Sequence, residues 1–110
     1  MANAARPAVS FAGVAMKNPV VLASGTCGFG RELGEYFDIS RLGGIASKGL
    51  TLNPRSGNEG IRVWETPSGL MNSIGLENPG VRGFLEDELD WINGHDVANI
   101  VNLGGHSIED

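Results

Sequence analysis

Asn18-Pro19-Val20-Val21-Leu22-Ala23-Ser24-Gly25-Thr26 is the stretch that decides the fold. Its apolar run, Val20 to Ala23, follows a proline, shows no alternation and stops abruptly in small polar residues. A run this short, bounded by turn residues, predicts a strand buried on both faces of a parallel sheet. The same construction recurs in Ile45-Ala46-Ser47-Lys48-Gly49 and again in Val97-Ala98-Asn99-Ile100-Val101-Asn102-Leu103, which ends in Gly104-Gly105.

The connections fit strands of one direction. Asp38 is a candidate N-cap, with Leu42 before Gly43-Gly44, which predicts one or two short helical turns between the first two strands. Asn78-Pro79 predicts a helix start, with Asn78 as cap and proline at the first helical position. The expected helix puts Val81, Phe84, Leu85, Leu89 and Ile92 on one stripe, turns Arg82, Glu86 and Asp90 away, and stops at Gly94. His95 then falls in a solvated loop before the third strand.

Two hairpins decorate this series. Val9-Ser10-Phe11 and Val14-Ala15-Met16 flank the turn dipeptide Ala12-Gly13, and Val63-Trp64-Glu65-Thr66 and Leu70-Met71-Asn72-Ser73 flank Pro67-Ser68-Gly69. Strand, helical turn, strand, excursion, helix, strand is the start of a right-handed βα series, in either a barrel or an open doubly wound sheet. A (β/α)8 barrel takes about 250 residues, and this chain has 110. Three such strands with one main helix leave a sheet edge that something must cover.

Composition narrows the function. Thirteen acidic residues against 8 basic ones give a formal charge of −5, which leaves no source for the phosphate neutralisation a nucleic-acid binder needs. Hydrophobic residues make up 41%, enough for a modest core. The 17 glycines exceed an ordinary share of about 7% and lie between the apolar runs, as tight turns and close backbone approaches require. The opening Met1 to Pro7 lacks a signal-peptide core and no run approaches a membrane span, so the expected location is the cytoplasm, off the membrane. Cys27 is the single cysteine; with His95 and His106 distant in sequence, no metal site is expected.

In parallel α/β folds ligands sit at the C-terminal strand ends. Those ends carry Ser24-Gly25-Thr26, Ser47-Lys48-Gly49 and Asn102-Leu103-Gly104-Gly105, and three polar ends together point to a polar ligand. Lys48 admits two readings. It aims an ammonium at an anionic or electron-accepting ring, or it snorkels to solvent or pairs with a carboxylate such as Glu65. Asn72-Ser73-Ile74-Gly75-Leu76 has the makeup to grip a planar heterocycle, although on composition alone it reads as a turn.

Several fragments, in order and with matching spacing, resemble the class 1, B-type dihydroorotate dehydrogenases. They are Asn18-Pro19 leading to Ala23-Ser24-Gly25-Thr26, then Gly28-Phe29-Gly30, Leu42-Gly43, Lys48-Gly49-Leu50-Thr51, Pro54-Arg55, Gly57-Asn58, Glu65-Thr66 and Gly69 through Gly80. The resemblance covers nearly the whole chain; the lysine strand end followed by Asn-x-Ile-Gly-Leu-x-Asn-Pro-Gly is its most specific part. It implies that residues 1–110 are the N-terminal portion of an FMN-binding TIM barrel: a hairpin, about three barrel strands, and a second hairpin set in after strand 2. It further implies that Ser24, Lys48, Gly49 and Asn102 contact FMN, that Lys48 also reaches the substrate, and that Asn72, Ser73, Ile74, Gly75 and Leu76 form the orotate-binding loop. The implied reaction is oxidation of dihydroorotate to orotate in pyrimidine synthesis. The implied partners are other subunits of a homo- or hetero-oligomer, including an electron-transfer subunit carrying FAD and an iron–sulfur cluster.

The family's catalytic base is a cysteine on a later strand-end loop, and its flavin-phosphate site lies later still, so the 110 residues alone are expected to be inactive. Cys27 stands where the family tolerates bulky apolar residues and is expected to be a structural thiol. His95 and His106 match no functional position of the family. Two other readings remain at this point. One is a related FMN pyrimidine reductase such as dihydropyrimidine dehydrogenase, which Pro54-Arg55, Gly57-Asn58 and the Asn72 loop disfavour; the other is a short non-catalytic chain that associates through its open sheet edge.

Overall fold

The computed structural model describes residues 7–110; the opening residues, on which the signal-peptide expectation rests, lie outside the described residues. The fold is mixed α/β. Val9–Phe11 (β1) and Val14–Met16 (β2) pair antiparallel about Ala12-Gly13. Both turn residues take positive φ, 49° at Ala12 and 83° at Gly13, the sense that matches the twist of the flanking strands.

Val21–Leu22 (β3), Gly44–Ala46 (β4) and Ala98–Ile100 (β7) form one parallel sheet in the order β3-β4-β7. Val63–Thr66 (β5) and Gly69–Asn72 (β6) make the second hairpin, with Thr66 opposite Gly69. Helical turns are short: Arg31–Gly34 (α1), then a 3₁₀ turn at Ile39–Arg41 whose cap Asp38 accepts from the Ser40 amide at 2.9 Å.

Packing explains why β4 is central. Gly44 and Ile45 on it are buried, and Leu22 with Ile45 covers a cluster of Cys27, Ile39 and Leu42. A second cluster of Leu50, Phe84 and Ile92 lies beside it, and Trp91 and Val97 pack against both. Val21, Ala46 and Ile100, with Met16 and Phe11 of the hairpin, line an apolar groove elsewhere on the sheet.

Four expectations need correction. The β3 run is not buried on both faces: Val20 is 53% exposed and Val21 and Leu22 are half-buried, because β3 is the edge strand of this sheet and only β4 has a neighbour on each side. The main helix is not one regular α-helix. It begins as Gly80–Gly83 (α2), widens into a π-helical turn at Phe84–Glu88 and resumes as Leu89–Asn93 (α3). A π turn accommodates an extra residue, so Phe84 and Ile92 still reach one cluster while Leu85 is carried outward to 51% exposure.

Asn78 is not at the N-cap position, which Pro79 holds without a side-chain bond; its Oδ1 nevertheless accepts from the first helical amide, Gly80 N–H, at 2.9 Å, and Gly80 enters the helix at φ 74°. Nor is His95 solvated: it is half-buried, its Nδ1 lies 2.8 Å from the Trp91 carbonyl and its ring sits 4.6 Å from the Trp91 ring. No helix among the described residues is long and apolar enough to cross a membrane.

The π turn makes Leu85 and Ile92, both on the expected stripe, unequal. Ile92→Ala is expected to destabilise the fold by about 2–4 kcal/mol, the cost of a cavity in a packed cluster. Leu85→Ala is expected to cost about 0.5 kcal/mol or less. Urea denaturation of both variants checks this; equal losses would place Leu85 in the core.

Candidate functional site

The three parallel strands deliver their C-terminal ends to one side of the sheet. There Ser24, Gly25, Gly28, Lys48, Gly49, Asn72, Ile74, Leu76 and Asn102 line a single cleft of about 370 Å3. Ser24 follows β3, Lys48 and Gly49 follow β4, and Asn102 follows β7. Asn72 ends β6, and the chain after it folds back across the strand ends.

Local bonds hold the strand ends together. The Asn102 amide nitrogen Nδ2 donates to Ser24 Oγ at 3.3 Å, and its backbone N–H donates to Oγ of the fully buried Ser47 at 3.2 Å. Leu50 N–H donates to the Asn102 carbonyl at 2.8 Å, and Lys48 N–H to the Gly28 carbonyl at 2.9 Å. Lys48 is half-buried, and its ammonium enters none of the four ion pairs among the described residues, so the pairing with Glu65 is not made. A Cβ at Gly49 would lie 2.9 Å from Leu76 Cδ1 and 3.4 Å from Asn102 Nδ2, so a side chain there would displace the tip of Leu76.

The loop after β6 alternates. Asn72, Ile74 and Leu76 face the cleft, whereas Ser73 and Gly75 do not line it and lie against Asn58. Leu76 has φ 56°, a left-handed conformation that costs a branched residue roughly 1–2 kcal/mol. Asn78 holds it there. Asn78 Nδ2 donates to the Leu76 carbonyl at 2.8 Å, while Oδ1 accepts from the backbone N–H of Thr51 at 3.1 Å and of Gly80 at 2.9 Å.

Of the residues singled out in the sequence, the structure therefore brings Ser24, Lys48, Gly49, Asn72, Ile74, Leu76 and Asn102 to one cleft and leaves Ser73 and Gly75 behind it. Gly25 and Gly28, both at positive φ, also line it; Gly25 was read as part of the first polar strand end, but neither was assigned a ligand contact. Asn58 and Asn78 both fall in fragments that carry the family resemblance, but neither was assigned a role in supporting this loop.

The other candidates lie elsewhere. Cys27 is 5% exposed in the core cluster, with its thiol facing the Ala23 and Ala46 carbonyls. Burial pushes the Cys27 thiol above its ordinary value; a bond with the Thr26 side chain pulls it back in part, and the Glu32 carboxylate adds to the rise. His106 is exposed, with Nε2 3.3 Å from Arg55 Nη1. Among the described residues no group of three or more His, Cys, Asp or Glu side chains could hold a metal ion.

A cation, two amides and a hydroxyl, with three glycines, line this cleft at the parallel strand ends of an α/β chain. The sequence profile of the dihydroorotate dehydrogenase family matches residues 7–110. The chain belongs to that family. It is 57% identical over 102 residues to the "Dihydroorotate dehydrogenase B (NAD(+)), catalytic subunit" of Petrotoga mobilis, covering 93% of this chain and 34% of that protein. The proteins of the same name are 55% identical in Thermoanaerobacter pseudethanolicus, over the same shares, and 48% identical in Geobacillus kaustophilus, over 96% of this chain and 34% of that protein. The chain thus spans about a third of the length of the curated relatives it matches.

Two consequences are measurable. Asn78→Ala strands the buried amides of Thr51 and Gly80 and is expected to cost about 2–4 kcal/mol in urea denaturation. Cys27 is expected to react with a disulfide reagent at pH 8 at least about tenfold more slowly in the folded than in the unfolded chain, because both access and the thiolate fraction are reduced. A thiol value raised on folding stabilises the fold below the ordinary thiol value. That contribution is lost as pH rises through it toward the folded value.

Proposed function

We propose that these residues form the opening third of a (β/α)8 barrel whose complete protein oxidises dihydroorotate to orotate with FMN, in pyrimidine synthesis. The observation that carries this reading is the convergence of Lys48 and the loop around Asn72 on one cleft with Ser24, Gly49 and Asn102. The order of three parallel strands supports a barrel start. We read the unit 1–110 as one incomplete FMN-binding domain, because it spans 34% of the length of a relative it matches; further barrel strands would cover its open edge.

The residues present fit a flavin. Gly25, Gly28 and Gly49 give backbone without side chains along the cleft, and a Cβ at Gly25 would meet nothing within 4 Å, so a flat ring system has room to lie against the strand ends. Ser24 and Asn102 supply hydroxyl and amide groups beside it, and Lys48 an unpaired ammonium. When bound, FMN supplies the two-electron acceptor for the hydride leaving dihydroorotate. Lys48 would then stabilise negative charge that develops on the acceptor and the substrate. Asn72 orients the pyrimidine through its amide, and Ile74 and Leu76 exclude water from the contact face, which keeps the transfer short-range.

The substrate proton is taken by a cysteine that the family carries on a later loop. Cys27 is unsuited to that role, being outside the cleft lining and held protonated by burial. The names of the relatives, catalytic subunits of an NAD-linked enzyme, support a partner subunit; that this partner carries FAD and an iron–sulfur cluster, in a cytoplasmic assembly, is what the family resemblance adds.

Replacing Lys48 separates chemistry from fold. In the full-length protein, Lys48→Ala is expected to lower dihydroorotate turnover by about 10²–10³-fold, with flavin content and circular dichroism retained. Unchanged turnover would remove Lys48 from the reaction; a colourless wild-type protein would remove the flavin.

A further inference from the structure

We infer that Asn58 is a positioning residue for substrate binding, acting through the loop from Asn72 to Leu76; the inference rests on the functional reading just given. Asn58 does not line the cleft. It grips the back of the loop: its Nδ2 donates both to the Ser73 carbonyl at 3.1 Å and to Ser73 Oγ at 2.9 Å, and its backbone N–H donates to the Ile74 carbonyl at 2.9 Å. The fit is close. A Cβ at Gly75 would lie 2.5 Å from Asn58 Oδ1, and at Gly57 one would lie 2.7 Å from Arg62 Nη1.

The consequence is a division of labour along the loop. Successive residues of an extended segment point to opposite sides, so fixing Ser73 on the Asn58 side sends Asn72 and Ile74 into the cleft, while Leu76 reaches it through the left-handed backbone at Gly75 and Leu76, φ 78° and 56°. A loop released at Ser73 can rotate or slip, and a slip of one residue would exchange the two sets. Arg62 closes the same brace, with Nη1 3.0 Å from Glu77 Oε2 and its carbonyl accepting from Ser73 N–H at 2.8 Å. Asn58 is the side chain that reads the loop most directly, because its amide contacts both the backbone and the side chain of one loop residue.

Asn58→Asp is nearly isosteric, yet it turns the donors into a carboxylate that faces two oxygens. Losing two hydrogen bonds and adding that repulsion corresponds to about tenfold in affinity. In the full-length holoenzyme, the variant is expected to raise the orotate Kd, read from the flavin absorbance change, and the dihydroorotate KM by that factor. The kcat is expected to stay within about threefold and flavin content to be unchanged, the signature of lost binding rather than lost chemistry. Asn58→Ala, which removes the donors without adding charge, is expected to show the same split at about fivefold and decides the matter if the aspartate variant does not fold. Unchanged Kd and KM in folded variants, loss of flavin, a fall in kcat alone, or failure of both variants to fold would each overturn the role of Asn58. If the unaltered holoenzyme showed no response to orotate, the functional reading itself would fall instead.

Discussion

One buried amide sets the geometry of the cleft. Asn78 is 5% exposed and ties Thr51, after β4 and 27 residues away, to its own neighbours Leu76 at the end of the cleft loop and Gly80 at the start of the helix. Its Nδ2 also donates to Thr51 Oγ1 at 3.1 Å. A buried polar group of this kind is tolerable only when fully bonded, and the requirement for full bonding is what makes the arrangement unique. Without it nothing obliges Leu76 to take φ 56°, and the loop has no reason to close over Gly49.

Rigidity and openness are divided between the two sides of the cleft. The strand-end side is bound by the parallel ladder and by the Ser47, Asn102 and Ser24 bonds. The loop side is stretched between Asn78 at one end and Asn58 behind its middle. Lys48 stands between them, its ammonium in none of the four ion pairs among the described residues.

Much of the architecture was legible in the residues. The turn dipeptide Ala12-Gly13, the cap at Asp38 and the three apolar runs are local signals, and local signals survive into the fold. What was not legible depends on tertiary contacts. The edge position of β3 follows from strand order, which the Val20 to Ala23 run does not encode. The π turn at Phe84–Glu88 follows from the need of Phe84 and Ile92 to reach one cluster, and a stripe counted at regular helical spacing could not separate Leu85 from them. Asn78 before proline has the form of a helix cap, and only the approach of Thr51 makes it a tie. The strand ends and the loop after β6 were identifiable as polar, but which loop residues face the cleft is decided by Asn58 from outside the motif.

The central claim is that Lys48 and the loop through Asn72 address the same flat ligand from two sides. A crystal structure of the full-length protein with orotate bound tests it most directly. The account predicts orotate between the Lys48 ammonium and the Asn72 amide, within hydrogen-bonding distance of both and lying against a flavin ring. Orotate bound at another face, or a cleft closed by apolar packing between those two side chains, would contradict it.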